Sequence, residues 1–423
     1  MKNFTKSERS WIFYDWANSV YATNMLAAIF PIYFGTICAN AGVDNVVLWS
    51  VGTSISTFVV AILAPFLGAL GDHKGYKKKF FTAFMLIGVI FTLTCALTDN
   101  YIGLLIGYIL SHIGFSGANL FYDAFLTDVT TNDRMDKVSS WGFAMGYIGG
   151  STIPFIASIA LLLIMGMDNM FALKLVFVIT SLWWFIFSLP FMKNVKQVHY
   201  ITANNKEILS SSLHNLKETF FNILSDKKIL FFIIAYFFYI DGVNTIISIS
   251  TSYGTTLNLD TVGMILALLV TQIVAVPCSL LFNKFSEKYG SINMITFAVC
   301  VYVGICVLGF FMGHIVEANP GSDEAIANAQ ILFWILAFFV GTVQGGIQAL
   351  SRSYFGKLIP PEKSNEYFGF FDIFGKFAAV VGPLVVATVK IATGSDALGV
   401  LSVGLLFILG LTFLTIGKRH FAK

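Results

Sequence analysis

The chain has 423 residues, of which 57% are hydrophobic and only 12% are charged, with 43 Phe among them. A soluble domain keeps about 25% charged residues for its wetted surface, so this composition excludes an ordinary water-soluble protein and points to a membrane. The net charge of +3 excludes nothing by itself; the placement of the basic residues carries the information.

A helix crossing a bilayer needs roughly 20 apolar residues. On that ruler the chain reads as spans 1 to 6 at 11–37, 47–70, 80–98, 101–127, 139–165 and 171–191. A polar stretch over 192–228 follows, and then spans 7 to 12 at 229–252, 262–283, 291–313, 328–351, 366–390 and 396–417. The expected fold is an all-α membrane protein: twelve transmembrane helices in two pseudo-symmetric six-helix halves, 1–191 and 229–423, joined by a linker over 192–228. Lys2, Lys6 and Arg9 precede the first span as in a signal peptide. That span is too long for a signal core, carries Asp15 and lacks a small-residue cleavage site, so it reads as a retained helix.

The N-terminus and every second connection hold 23 of the 26 Lys and Arg residues, and the intervening connections hold none. Basic residues gather on the cytoplasmic side. Both termini and the central loop are therefore expected in the cytoplasm, and the protein in a bacterial plasma membrane. Within the linker, between residues 207 and 224, Ile208, Leu213, Leu216, Phe220 and Leu224 recur at near-helical spacing. This fits either an amphipathic helix on the membrane surface or a linker helix packed under the bundle.

The cysteines, Cys38, Cys95, Cys278, Cys300 and Cys306, lie in or beside apolar runs, without CxxC or Cys/His spacing. They read as small core residues, so neither a disulfide nor a metal site is expected. No P-loop and no nucleophile–His–acid arrangement is present. Neither an enzyme nor a cofactor is expected, and ATP-driven transport by this chain alone is disfavoured.

The two halves echo one another. Asp15-Trp-Ala-Asn18-Ser19 in span 1 matches Asp241-Gly-Val-Asn244-Thr245 in span 7, an offset of 226. Gly142-Phe143 with Gly149 in span 5 matches Gly369-Phe370 with Gly375 in span 11, and Pro154 and Pro383 lie in those same two spans. Asp72 to Gly75 after span 2 matches Glu287 to Gly290 after span 8, and Pro65 pairs loosely with Pro277. Two parallel six-helix halves around a substrate path is one transporter architecture.

The 2–3 connection, Gly68-Ala-Leu-Gly71-Asp72-His-Lys74-Gly75-Tyr-Lys77-Lys78-Lys79, resembles the signature loop of the major facilitator superfamily. His73 is a departure, since the superfamily usually has Arg there. Small residues allow close helix approach, Asp72 can pair with helix ends or cations, and the lysines face anionic lipid. Further resemblance lies in Tyr14 to Thr23, Phe30 to Phe34, Asp241 to Thr245, Gln344 to Ser353, Gly142-Phe143 through Gly150, Phe368 to Phe370 and Gly382-Pro383. Together these segments resemble the autophagy-linked vacuolar amino-acid effluxer family and its bacterial relatives. That resemblance implies export of neutral amino acids such as Leu, Ile and Tyr. Span 5 lacks the Gly-Pro-x-x-Gly-Gly pattern of drug antiporters, which lowers multidrug export.

Ionisable groups inside a bilayer are costly and need a partner or a role. Asp241 lies about 12 residues into predicted span 7, roughly 18 Å at 1.5 Å per residue, with Asn244, Thr245 and Ser248 on the same face. This stripe suits a substrate amine or a coupling proton, or a carboxylate locked to a neighbouring helix. His112, Ser116, Asn119 and Asp123 share a face of span 4 that suits a proton relay, or hydrogen bonds across a helix interface. Asp15, about one turn inside predicted span 1, reads with Asn18 as a gate or helix-pairing group. Gln344, Gln348 and Arg352 follow one another along span 10, where glutamine amides can serve a zwitterion and Arg352 can meet an acid or lipid phosphate. Lys376 in span 11 follows Asp372 by four residues, an intrahelical pair or a contact for a substrate carboxylate. Gly142, Gly146, Gly149 and Gly150 in span 5, and Gly341 and Gly345 in span 10, read as close packing or hinges. With Gly68, Asp72 and Gly75, Asp15, Asn18 and Arg352 form the gating and signature set.

These readings converge on a monomeric secondary active transporter of a small organic solute, with amino acids the leading class. Its mechanism would be alternating access coupled to a proton or other cation gradient, around a site lined by spans 1, 4, 7 and 10. Two alternatives stand beside it. One is an exporter or flippase of amphipathic compounds or lipids in the same fold; the other is a non-transporting membrane receptor or scaffold.

Overall fold

The computed structural model describes residues 3–166, 169–202 and 208–421, without the side chains of 46, 208–211, 213–215 and 377–380. Among these residues twelve helices are long and apolar enough to span a bilayer: spans 1 to 6 are Lys6–Asn40, Val47–Gly71, Tyr76–Leu97, Tyr101–Val129, Met135–Met165 and Met170–Asn194. Spans 7 to 12 are Lys227–Thr256, Thr261–Tyr289, Ser291–Ala318, Asp323–Leu358, Pro361–Thr393 and Asp396–Phe421. Large apolar side chains such as Ile164 and Ile391 stand more than 80% exposed, as suits helices that face hydrocarbon.

Most helices begin earlier than hydropathy alone predicts, several of them from polar caps that lie outside the apolar run. Span 1 begins at Lys6, where Thr5 and Glu8 form a reciprocal capping box that satisfies two otherwise orphaned N–H groups. Glu8 is then held by Arg134 at 2.8 Å. Asp15 is consequently nine residues in, about 14 Å, not one turn. Asp226 caps span 7 through the N–H of Lys228 and Ile229, so Asp241 lies fourteen residues in, about 21 Å. The depth difference expected between the two acids is thus smaller than predicted. Spans 1 and 5 each contain a π-helical turn, at Ala22–Ala27 and Tyr147–Thr152, a widening often found at functional positions.

The chain divides into two compact units, 1–219 with 359–372, and 220–358 with 373–423. In the first, span 4 packs on spans 2 and 3, and span 6 packs on spans 1 and 3. The second repeats that scheme six helices on: span 10 packs on spans 8 and 9, and span 12 packs on spans 7 and 9. The first unit's core is aromatic. Trp11 stacks on Tyr122 at 4.4 Å, Phe81 lies 4.2 Å from Phe191, and Tyr14 sits between them. The second unit packs Tyr253, Met264, Met312, Phe333 and Val400 in one buried cluster.

In the linker, Ile208–Ser225 is helical. Ser212, Thr219 and Ile223 are its buried face, while Phe220, Phe221 and Leu224 are 45–53% exposed. Glu207 and the side chains of Ile208 and Leu213, part of the apolar stripe predicted there, lie outside what is described.

Candidate functional site

In the first unit, span 1 carries a polar residue at every third position, and each is bonded to another helix. The Tyr122 hydroxyl donates to Asp15 Oδ2 at 2.7 Å. Asn18 Nδ2 donates to Asn119 Oδ1 at 2.6 Å, Tyr21 meets Ser111 at 2.8 Å, and Asn24 reaches Ser158 and Thr180. For Asn119 the interhelical reading thus has direct support. His112, higher on the same face, is half-buried and shares a 2.7 Å hydrogen bond between Nδ1 and the buried Ser56 hydroxyl. Asp123 is half-buried at the other end. Behind span 1, a Cβ at Gly149 would overlap the Trp16 ring and one at Gly150 would overlap Ser19. These glycines are close-packing positions.

The second unit has a matching arrangement with one difference. Asp241 is fully buried; its Oδ1 accepts the backbone N–H of Gly382 at 3.0 Å and the Thr245 hydroxyl at 3.4 Å. Its Oδ2 is buried and has no hydrogen-bond partner among the described residues. A Cβ at Gly382 would overlap Thr245 Oγ1. Ser19 with Gly150, and Thr245 with Gly382, are therefore corresponding contacts of spans 1 with 5 and 7 with 11. Asn244 is half-buried.

Spans 7, 8, 9, 10 and 12 line a partly open pocket of about 120 Å³, walled largely by aliphatic side chains such as Ile246, Leu268, Ile305 and Leu336. Gln272 and Gln344 also line it. Gln344 is 9% exposed, and the Gln272 Oε1 is buried without a hydrogen-bond partner among the described residues. The neighbouring Thr271 is already committed, donating to Ala337 O at 2.9 Å. Gln272 escaped the sequence reading, although an amide isolated in an apolar span is a signal in itself. Gln348 is half-buried and Arg352 buried further along span 10, outside the pocket lining. Asp372 and Lys376 are both half-buried on span 11.

A third cluster gathers around the 2–3 connection. Gly75 takes a φ of +80°, a turn that glycine adopts without strain. Asp72, 1% exposed, accepts the backbone N–H groups of Asn365 and Glu366 at 2.9 and 3.0 Å, and the Asn365 amide at 2.8 Å. A carboxylate at a helix N-terminus is favoured by the orphaned N–H groups there. Gly68 permits this approach, since a Cβ there would lie 2.5 Å from Asn365 O. Burial raises the Asp72 carboxyl to about 7, against the opposing pull of Lys77 and of those N–H donors. Lys77 is itself fully buried, bonded to Asp128 at 2.7 Å and to the Ser364 hydroxyl at 2.8 Å. Asp128 also accepts the N–H groups of Val198 and His199. The sequence showed Lys77 only as one of a lysine run.

A family model described as vacuole effluxer Atg22 like matches residues 44–420. The MFS-type transporter YxiO of Bacillus subtilis is 43% identical, over 98% of this chain and 95% of its own length. Autophagy-related protein 22 of Pichia angusta is 24% identical, over 89% of this chain and 75% of its own. Among solved structures, a bacterial homologue of the iron transporter ferroportin in an outward-facing state has a TM-score of 0.70 at 12% identity, over 98% of both chains. The proton:xylose symporter XylE has a TM-score of 0.70 at 12% identity, over 97% and 94%. These two show a shared fold, the twelve-helix major facilitator fold.

Proposed function

Because this chain belongs to the Atg22-like vacuole effluxer family of major-facilitator-type transporters, we propose that it moves a small organic solute, most simply an amino acid, by alternating access. The observation carrying this reading is the pocket at Gln272 and Gln344. Its walls are largely apolar, and it holds one buried amide oxygen that lacks a donor among the described residues. A neutral amino acid offers both complements: an apolar side chain for the walls and an ammonium for the acceptor. Asp241, with one carboxylate oxygen strapped to Gly382 and the other unpartnered among the described residues, is the proposed coupling group for a proton or other cation. Asn244 and Thr245 extend that stripe, and Gln348, Lys376, Asp372, His112, Asn119 and Asp123 are secondary candidates. Asp15, Asn18, Gly68, Asp72, Gly75 and Arg352 belong to gating. The proposal includes two six-helix halves on either side of the 192–228 linker, cytoplasmic termini and linker, and action as a monomer.

The test is uptake and counterflow in proteoliposomes with a panel of labelled amino acids, with and without a pH gradient. Apolar neutral amino acids are expected to exchange, and Asp241→Asn is expected to keep counterflow while losing pH-driven accumulation. Intact pH-driven transport in Asp241→Asn defeats the coupling role; ligand binding without any flux favours a receptor. The second reading, export of amphipathic compounds or lipids, draws on the polar ladder of span 1, which is spent on helix pairing. Flux of such compounds without amino-acid counterflow would establish it instead.

A further inference from the structure

Four lysines, Lys74, Lys78, Lys79 and Lys196, line one open groove of about 660 Å³ where the 2–3 connection meets the chain leaving span 6. Among the described residues no acidic residue lines it. Among the described residues none of the four ammonium groups has a carboxylate partner, unlike Lys77 of the same turn, which is consumed by Asp128.

The groove is built and held. The Gly75 N–H donates to Gln197 Oε1 at 2.8 Å, the Lys78 ammonium donates to Val195 O at 2.8 Å, and the Ile201 N–H donates to Asp72 O at 2.8 Å. Lys74 lies over the Tyr200 ring at 5.4 Å. Lys78 and Lys196 line the same groove. Holding like charges together without a counter-charge is unfavourable, and a bound anion relieves it.

The other wall identifies the anion. Ala83 and Leu86 of span 3 line the groove, and Lys79, Ala83, Leu86 and Ile90 follow one helix face at spacings of four, three and four. Ala83 is exposed and Ile90 is 52% exposed, so this face runs from the lysines into the surrounding hydrocarbon. A free phosphate would satisfy the lysines and leave the apolar wall bare. We propose that the groove binds an anionic phospholipid of the surrounding bilayer, its phosphate between Lys78 and Lys196 and an acyl chain along the Ala83–Ile90 face.

The test uses the full-length protein in nanodiscs of equal phosphatidylcholine and phosphatidylglycerol, followed by native mass spectrometry of the lipids it retains. Wild-type protein is expected to retain phosphatidylglycerol preferentially. Lys78→Gln/Lys196→Gln is expected to lose that preference by about 25-fold, at roughly fivefold per lysine. Lys78→Arg/Lys196→Arg, which keeps the charge, is expected to retain it, as is Lys288→Gln in the last turn of span 8. Melting curves matched to wild type establish that the glutamine variant is folded; if it is not, Lys196→Gln alone is expected to show the fivefold loss. Equal retention by wild type and a folded glutamine variant overturns the proposal. Displacement of the lipid by excess inorganic phosphate also overturns it, in favour of a soluble-anion site.

Discussion

Asp241 of span 7 and Gly382 of span 11 are joined by a side-chain-to-backbone hydrogen bond of 3.0 Å, made possible because residue 382 has no side chain. The bond fixes one oxygen of a buried carboxylate, and among the described residues the other has no partner. A structural strap and the proposed coupling group thus share one side chain.

Gly382→Ala should break this arrangement. The new methyl would overlap Thr245 Oγ1 and lie 2.9 Å from Asp241 Oδ1, so the helices must separate or Thr245 must turn away. Overpacking of this kind costs about 1–3 kcal/mol. The expected readout is a lower melting temperature in detergent, partly restored by adding Thr245→Ala.

Stability should depend on pH through Asp72. Its carboxyl is raised by burial to about 7 in the folded protein, against an ordinary carboxylate value near 3.9 when unfolded. Between those values the folded state binds more protons than the unfolded state. The contribution is therefore full below about pH 4 and is lost as pH rises through about 7. Melting temperatures measured across that window should fall for wild type and fall less steeply for Asp72→Asn.

Lys77 and Asp128 are both fully buried. Removing one charge should strand the other: Lys77→Met is expected to destabilise by about 3–5 kcal/mol, whereas Lys77→Met with Asp128→Leu should recover much of that loss. A double-mutant cycle on detergent melts measures the coupling. Additive losses would show that the pair does not act as a unit.

Gln272→Leu separates binding from folding. Removing a buried acceptor that lacks a donor should leave stability unchanged or higher. The same change should weaken the solute: the half-saturating concentration in counterflow is expected to rise about tenfold, as for one lost charge-assisted hydrogen bond. Unchanged counterflow with a higher melting temperature would make Gln272 a passive wall of the pocket.

Twelve spans were legible because lipid imposes length and apolarity on every crossing helix, and both are properties of the local sequence. Their starts were less legible. Thr5 with Glu8, and Asp226 ahead of span 7, begin helices with polar side chains that a hydropathy ruler counts as loop. The repeat was visible in Asp15-x-x-Asn18-Ser19 and Asp241-x-x-Asn244-Thr245, and the structure gives both hydroxyl residues the same glycine contact.

What the sequence by itself determined is the membrane-spanning helical class, the family likeness and the set of intramembrane polar residues. Tertiary structure alone decided their partners. Asn18 meets Asn119, Lys77 meets Asp128, and Asp72 meets the start of span 11 almost three hundred residues away. A polar residue in an apolar helix reports only that it must be satisfied. Whether a neighbouring helix satisfies it, or whether an oxygen is left over as at Asp241 and Gln272, depends on which faces the packing brings together.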